Sequence, residues 1–384
     1  DQGGMEMLLV MDPANMNYLT GYDGWSFYVH QGVIVDLDAP HPIWFGREQD
    51  ANGARLTTWL PDDCIHGYPD EYVQSRYTRT MRWVADLLRD LSLDKKRFGL
   101  EMDGYWFNVR MYLTLAEELP QAELMDATNL VNWVRVVKSP AEVDYMRQAA
   151  RICETVMQTA IDEIEVGVWE KDAAAKVCAA QIAGTARFGG SSPAIFPIMP
   201  SAERTSTAHL TFDPDRRYRK NDVVLLELCG ARHRYHAPLS RTVYLGDPPQ
   251  DLQNTADAVV HGLQQTLSFV GTGVTAEEVE ARWREASAHT GVVKPSRGGY
   301  ASASFAQVMT TPPMRGRWAF WLAFTRTASI GGGSSTPSAP GAHAARPGRA
   351  SSSTSRRRPP RLRQRAQRSG RRWRHQEAGA SDRT

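Results

Sequence analysis

The sequence predicts an α+β protein, C-terminally incomplete: a small N-terminal α/β domain over residues 1–130, the first part of a larger catalytic domain over 131–300, and an aberrant tail over 301–384. Three observations predict it. Short apolar runs alternate with a helix-spaced segment in the first third of the chain. A capping signature opens a long amphipathic helix at Pro140. Two strand-like runs then lie within residues 220–246, KNDVVLLELCGARHRYHAPLSRTVYLG, with polar residues set among the apolar ones.

The elements follow in chain order. Met7 to Met11 is an apolar run ending at Asp12-Pro13, a strand entering a turn, and the chain is expected to begin inside an element, its front truncated. Asn15 to Gln31 packs aromatics between glycines. Val33 to Leu37 and Pro42 to Phe45 read as strands, Arg76 to Leu91 as a helix with Met81, Val84, Leu87, Leu88 and Leu91 on one stripe, and Phe98 to Met102 as another strand. Ser139, Pro140 and Glu142 form a capping box. The helix they open carries Val143, Met146, Ala150, Cys153, Val156 and Met157 on one face. Glu170 to Ile182 and Val274 to Ala288 have the spacing of further helices. Val223 to Leu228 and Thr242 to Gly246 complete the pattern as a hairpin with a long polar connection.

At 384 residues, 42% hydrophobic and net charge +2, the chain is long enough for two globular domains. Its apolar runs fall short of the roughly 18 residues that span a bilayer, so no membrane partner is expected. Cys64, Cys153, Cys178 and Cys229 are widely spaced, which favours reduced thiols in a cytoplasm over a disulfide or zinc framework. The charge is unevenly distributed. After Tyr300 there are sixteen arginines, no lysine and two acidic residues, amid Ser, Pro, Gly and Ala, a composition that buries too little apolar surface to order itself. Such a tail either binds nucleic acid through phosphate contacts or is the out-of-frame translation of GC-rich DNA; the second reading is preferred.

The hairpin carries the chemistry. Glu227 interrupts the first run, and His233, Tyr235, His236, Ser240 and Arg241 populate the second. This pair resembles the core of the creatinase, prolidase and methionine aminopeptidase superfamily, the pita-bread fold, whose strands read roughly GDxVxxDxG and gYxxDxTR, each with a metal-binding Asp. Here the first Asp position holds Glu227 and the second Pro238, which has no side-chain donor. A dinuclear site needs several oxygen ligands converging at about 2.0–2.2 Å. No metal and no cofactor are therefore expected, as in the metal-free creatinase branch, and within it the wording is closest to the ectoine hydrolase group. The resemblance spans about Met5 to Tyr300.

That resemblance implies opening of a cyclic amidine such as ectoine by water, giving an N-acetylated diaminobutyrate, in a homodimer. It places a catalytic imidazole at His209, a residue type whose ordinary pKa of about 6.5 suits proton transfer near neutrality. Glu227, alternating with Leu226 and Leu228, would face the cavity and hold the amidinium, unless it serves a structural salt bridge to Arg241 or Arg234. Arg241 would meet the substrate carboxylate. His233 and His236 are further binding candidates. Trp25, Tyr28 and His30 fall in the segment that creatinase-type dimers lend to the neighbouring subunit's site, where an aromatic face would hold an amidinium. The first alternative is a metal-dependent Xaa-Pro aminopeptidase of the same fold; the second is a nucleic-acid binder acting through the tail.

Where the resembled family continues Ser-Ile-Gly-Leu, this chain reads Ala301-Ser302-Ala303-Ser304. Codons AGC ATC GGC CTC that lose their first base encode Ala-Ser-Ala-Ser. A one-base deletion near codon 301 is the expectation, with loss of the fold's later strands and carboxylates and hence of activity.

Overall fold

The computed structural model describes residues 4–194, 196–207 and 209–288, together with the backbone of Thr327–Ser329. These fall in one compact unit, Asp1–Gly332; the second, Gly333–Thr384, lies outside the described residues.

The first domain is a six-stranded mixed sheet with helices on both faces. β1 (Met7–Val10) runs into α1 (Pro13–Thr20), a helix where the sequence suggested only a turn. Local chemistry explains it: the Asp12 side chain accepts hydrogen bonds from the Ala14 and Asn15 amides at 2.8 and 3.0 Å, Pro13 takes the first turn, and Gly21 ends the helix in the left-handed region at φ 83°. There follow β2 (Gly32–Asp36), β3 (Ile43–Arg47), α2 (Glu48–Thr57), β4 (Ile65–Tyr68), α3 (Thr80–Asp90), β5 (Arg97–Leu100), α4 (Val109–Glu118) and β6 (Glu123–Asp126). Strand order is β4-β3-β2-β1-β5-β6. Alternation in β1 divides the core: Met7 and Leu9 pack with α3 and α4 residues such as Met81, Val84, Leu88 and Leu115, while Val10 packs with Val33, Trp44, Met16 of α1 and Ala51 and Ala54 of α2. α3 starts at Thr80 rather than Arg76; residues 76–79 stay outside it.

A short α5 (Leu130–Val134) leads to α6 (Pro140–Glu163). Its capping box is as expected: the Glu142 carboxylate accepts from the Ser139 amide at 2.7 Å, and the Ser139 hydroxyl accepts from the Glu142 amide at 3.4 Å. α7 (Glu170–Ala183) packs on α6, and both cover one face of the hairpin β7 (Val223–Arg232) and β8 (Tyr235–Tyr244) through Ile152, Val156, Val177, Leu226 and Leu228. Gly230 permits the approach, because a Cβ there would lie 2.2 Å from the Ala149 carbonyl oxygen and 2.5 Å from the Cys153 nitrogen. α8 (Gln250–Phe269) and α9 (Ala276–Ala288) follow. The backbone of β9 (Thr327–Ser329) pairs in parallel with β8. Apart from these three residues, the tail expected to be disordered lies outside the described residues.

The hairpin corrects one expectation. Arg232 pairs with Tyr235, so the connection is a two-residue turn, not a long polar loop. Both turn residues, His233 at φ 47° and Arg234 at φ 65°, are left-handed, the φ signs of a type I′ turn.

Candidate active site

Register fixes what the hairpin presents. Glu227 pairs with Ser240, Cys229 with Pro238, and Ala231 with His236, so these six side chains leave the same face, opposite to α6. Leu226 and Leu228 point to the helices, as the alternation predicts. On its other edge, β7 is paired by the stretch ending at Ser201: Glu227 and Ile198 exchange backbone hydrogen bonds at 3.0 and 3.2 Å, and the Leu225 amide donates to Pro200 at 3.0 Å. Glu227 is 5% exposed. Burial pushes its carboxyl above the ordinary carboxylate range, and the charge of His209 counteracts that push. The two residues expected to carry the chemistry are thus electrostatic neighbours.

Arg241 lies on the other face of the hairpin. It pairs with Leu226 and leaves the sheet from the helix face, where its charge acts on the Cys153 thiol. The strand's own alternation sends it to the face opposite to Glu227. Nor does Arg234 turn to Glu227. Its guanidinium binds the Asp23 carboxylate at 2.9 Å and the Gly24 carbonyl at 2.8 Å, joining the hairpin tip to the aromatic N-terminal segment.

His233 lies at that tip, its ring edge-on to Tyr145 with centroids 4.8 Å apart. The His236 ring is fully engaged by backbone: Nδ1 lies 2.8 Å from the Arg234 carbonyl oxygen, to which it donates, and Nε2 accepts from the Ala194 amide at 3.0 Å. Only a neutral, Nδ1-protonated imidazole makes both bonds, and burial, with the charges of Arg135 and Arg234, holds its pKa below the usual value against the opposing pull of the bond to the Arg234 carbonyl. Trp25 and Tyr28 face outward, Trp25 being 78% exposed. His30 is half-buried, its pKa lowered by burial, and its carbonyl accepts from the Tyr68 hydroxyl at 2.5 Å. Hence this chain brings together His209 with Glu227, and separately His233 and His236 with the edge of the Trp25 segment.

A second link between domains was not legible beforehand. The buried Glu101 carboxylate accepts from the Met11 and Asp12 amides at 2.8 and 2.9 Å and from the Asn15 amide group at 2.7 Å, and Arg135 donates to the Asn15 oxygen at 2.6 Å. Tyr235 donates to Glu142 at 2.9 Å. Another ion cluster fixes the entry to β7: Arg216 binds Asp222 at 2.8 and 2.9 Å and the fully buried Glu170 at 3.0 Å. Nothing in the sequence pairs Glu101 with Asn15, or Glu170 with Arg216.

The match with known families enters on this geometry. Residues 1–137 match the Creatinase/Prolidase N-terminal domain and residues 144–308 the Metallopeptidase family M24; the chain belongs to that family, and its fold is the pita-bread fold behind a creatinase-type N-terminal domain. Among relatives, an uncharacterized hydrolase/peptidase of Sinorhizobium fredii is 41% identical over 297 residues, 77% of this chain and 76% of that protein. The ectoine hydrolase of Halomonas elongata is 40% identical over 276 residues, 70% and 69% of the respective chains. Among solved structures, the X-Pro aminopeptidase of Thermotoga maritima superposes with TM-score 0.62 at 17% identity, covering 75% and 74%, and the prolidase of Pyrococcus furiosus with 0.60 at 20%, covering 75% and 76%. By this kinship the chain is a hydrolase.

The family's metal pair does not fit the residues described. The face where it would sit offers one carboxylate, Glu227, with the Ser240 hydroxyl opposite and the Pro238 ring two residues away along β8. Among the described residues no group of three or more His, Cys, Asp or Glu side chains is placed to hold a metal ion.

Proposed function

We propose that this chain is an ectoine hydrolase-like enzyme, opening the ring of a cyclic amidine with water to give an N-acetylated diaminobutyrate, without a metal. The observation that carries the reading is the buried Glu227 beside His209, on a face whose second carboxylate position is Pro238. An ionised carboxylate with little competing water attracts an amidinium strongly, and the cationic substrate offsets the cost of burying it. His209 moves the protons: it takes one from the water as the C–O bond forms at the amidine carbon and gives it to a ring nitrogen, and when the tetrahedral intermediate collapses the new hydroxyl yields its proton towards the same nitrogen, the C=O bond forms and the C–N bond breaks. The 40% identity to the Halomonas elongata ectoine hydrolase supports this substrate class.

Further parts of the reading are a homodimer, in which the exposed Trp25 and Tyr28 reach the neighbouring subunit's site with His30 behind them, a cytoplasmic location, consistent with its free cysteines, and a frameshift near codon 301. No helix among the described residues is long and apolar enough to cross a membrane. The test is ectoine turnover by the 384-residue chain and by a version with one base restored before codon 301, each before and after exhaustive chelation. Chelator-resistant ectoine opening by the restored chain supports the proposal. Chelator-sensitive cleavage of Xaa-Pro dipeptides, with ectoine untouched, would replace it with the peptidase reading.

A further inference from the structure

We infer that His236 is a positioning residue, clasping the described residues of the stretch 191–194 and 196–200 over the Glu227 face, and that the N-terminal domain holds the clasp through Arg234. The catalytic consequence rests on the function proposed above; the clasp itself does not.

The stretch is pinned at both ends. At the hairpin tip, the Ser191 amide donates to Ala231 at 2.9 Å, its hydroxyl accepts from the His233 amide at 3.2 Å, and Arg232 donates to the Gly189 carbonyl at 3.1 Å. At the other end it becomes a strand neighbour of β7, with Ile198 paired to Glu227. Between these anchors the Ala194 amide is held by His236, whose side chain rises from the Glu227 face, four residues along β7 and so about 13 Å from that carboxylate. Each bond depends on the next. Asp23 and Gly24 fix the Arg234 guanidinium; the Arg234 carbonyl accepts the Nδ1 proton of His236; that leaves Nε2 unprotonated and able to accept from Ala194. The charged groups acting on the ring are Arg135 and Arg234, both of which oppose its protonation. The N-terminal segment therefore reaches the flank of Glu227 through one tautomer.

The test uses the full 384-residue chain and limited thermolysin digestion, with cleavage of the Ala194–Ile195 bond followed by mass spectrometry; a protease that cuts after Phe196 would be blocked by Pro197. Losing one hydrogen bond of ordinary worth should open the stretch about five-fold more often. His236→Leu should raise cleavage by about that factor, whereas His236→Gln, which still presents an oxygen towards Ala194, should raise it much less. Asp23→Ala, at an exposed site that does not threaten folding, should raise it in the same direction. Wild-type cleavage should also increase at pH values low enough to protonate the ring. For kinetics, measured in the frame-restored chain, His236→Leu should lower kcat with KM little changed. Cleavage unaltered in both His236→Leu and Asp23→Ala, or raised equally by Leu and Gln, would overturn the inference. Absence of ectoine turnover in the frame-restored chain would count against the function, while the digestion result on the 384-residue chain would still decide the clasp.

Discussion

Burial gives Glu227 a double role, and the sign of its effect can be stated. Its carboxyl titrates above the ordinary range because desolvation penalises the charge. The folded state therefore binds a proton that the unfolded chain has released, and stability is lost as pH rises from the ordinary carboxylate range through the raised pKa, then levels off. Glu227→Gln removes this penalty. Thermal unfolding should place the variant above wild type at neutral pH, with the gap closing as pH falls to the ordinary carboxylate range. Turnover should move oppositely, dropping by about 10²-fold or more in the variant, and wild-type activity should fade as pH descends through the same titration. A variant both less stable and equally active would remove the role assigned to this carboxylate.

Elements differ in how far they could be read from sequence. The α6 capping box was legible because every partner lies within four residues; Ser139→Ala should cost about 1 kcal/mol, read as a lower denaturation midpoint. The β7 alternation was equally legible, and with it the facing of Glu227. The face of Arg241 was not legible because it depends on register, and register depends on a two-residue turn, His233 and Arg234, that lacks the Asn-Gly or Asp-Gly pair that announces one. Their conformation, which costs of order 1–3 kcal/mol per residue, is held by long-range partners, Tyr145 and Asp23, invisible to local reasoning. The Glu170–Arg216–Asp222 cluster escaped notice for the same reason. Gly230 is where α6 meets β7. Gly230→Ala must push the helix backbone away and should destabilise the chain by about 3 kcal/mol.

At the scale of the whole molecule, the exposed rings of the N-terminal segment set the expected assembly. Trp25 and Phe27 are 78% and 81% exposed, and Leu56 and Trp59 are exposed nearby, where the Asp23 amide donates to the Thr57 hydroxyl at 3.3 Å. Replacing Trp25 and Phe27 by Ser should shift the proposed homodimer towards monomer in sedimentation without lowering the unfolding midpoint; a wild-type monomer at all concentrations would dismiss the dimer. The two-residue hairpin turn also carries a consequence for how such a protein can change over evolutionary time. Which residue stands across from Glu227 is a matter of parity. Removing one residue between Tyr235 and Ser240 would bring the Arg241 guanidinium opposite the carboxylate in place of the Ser240 hydroxyl, and removing two would restore an outward-alternating pattern with a different residue in that place. Length changes in this hairpin therefore act as an even-or-odd switch on the chemistry of the face, and lineages descending from this chain should tolerate them in pairs far more readily than singly.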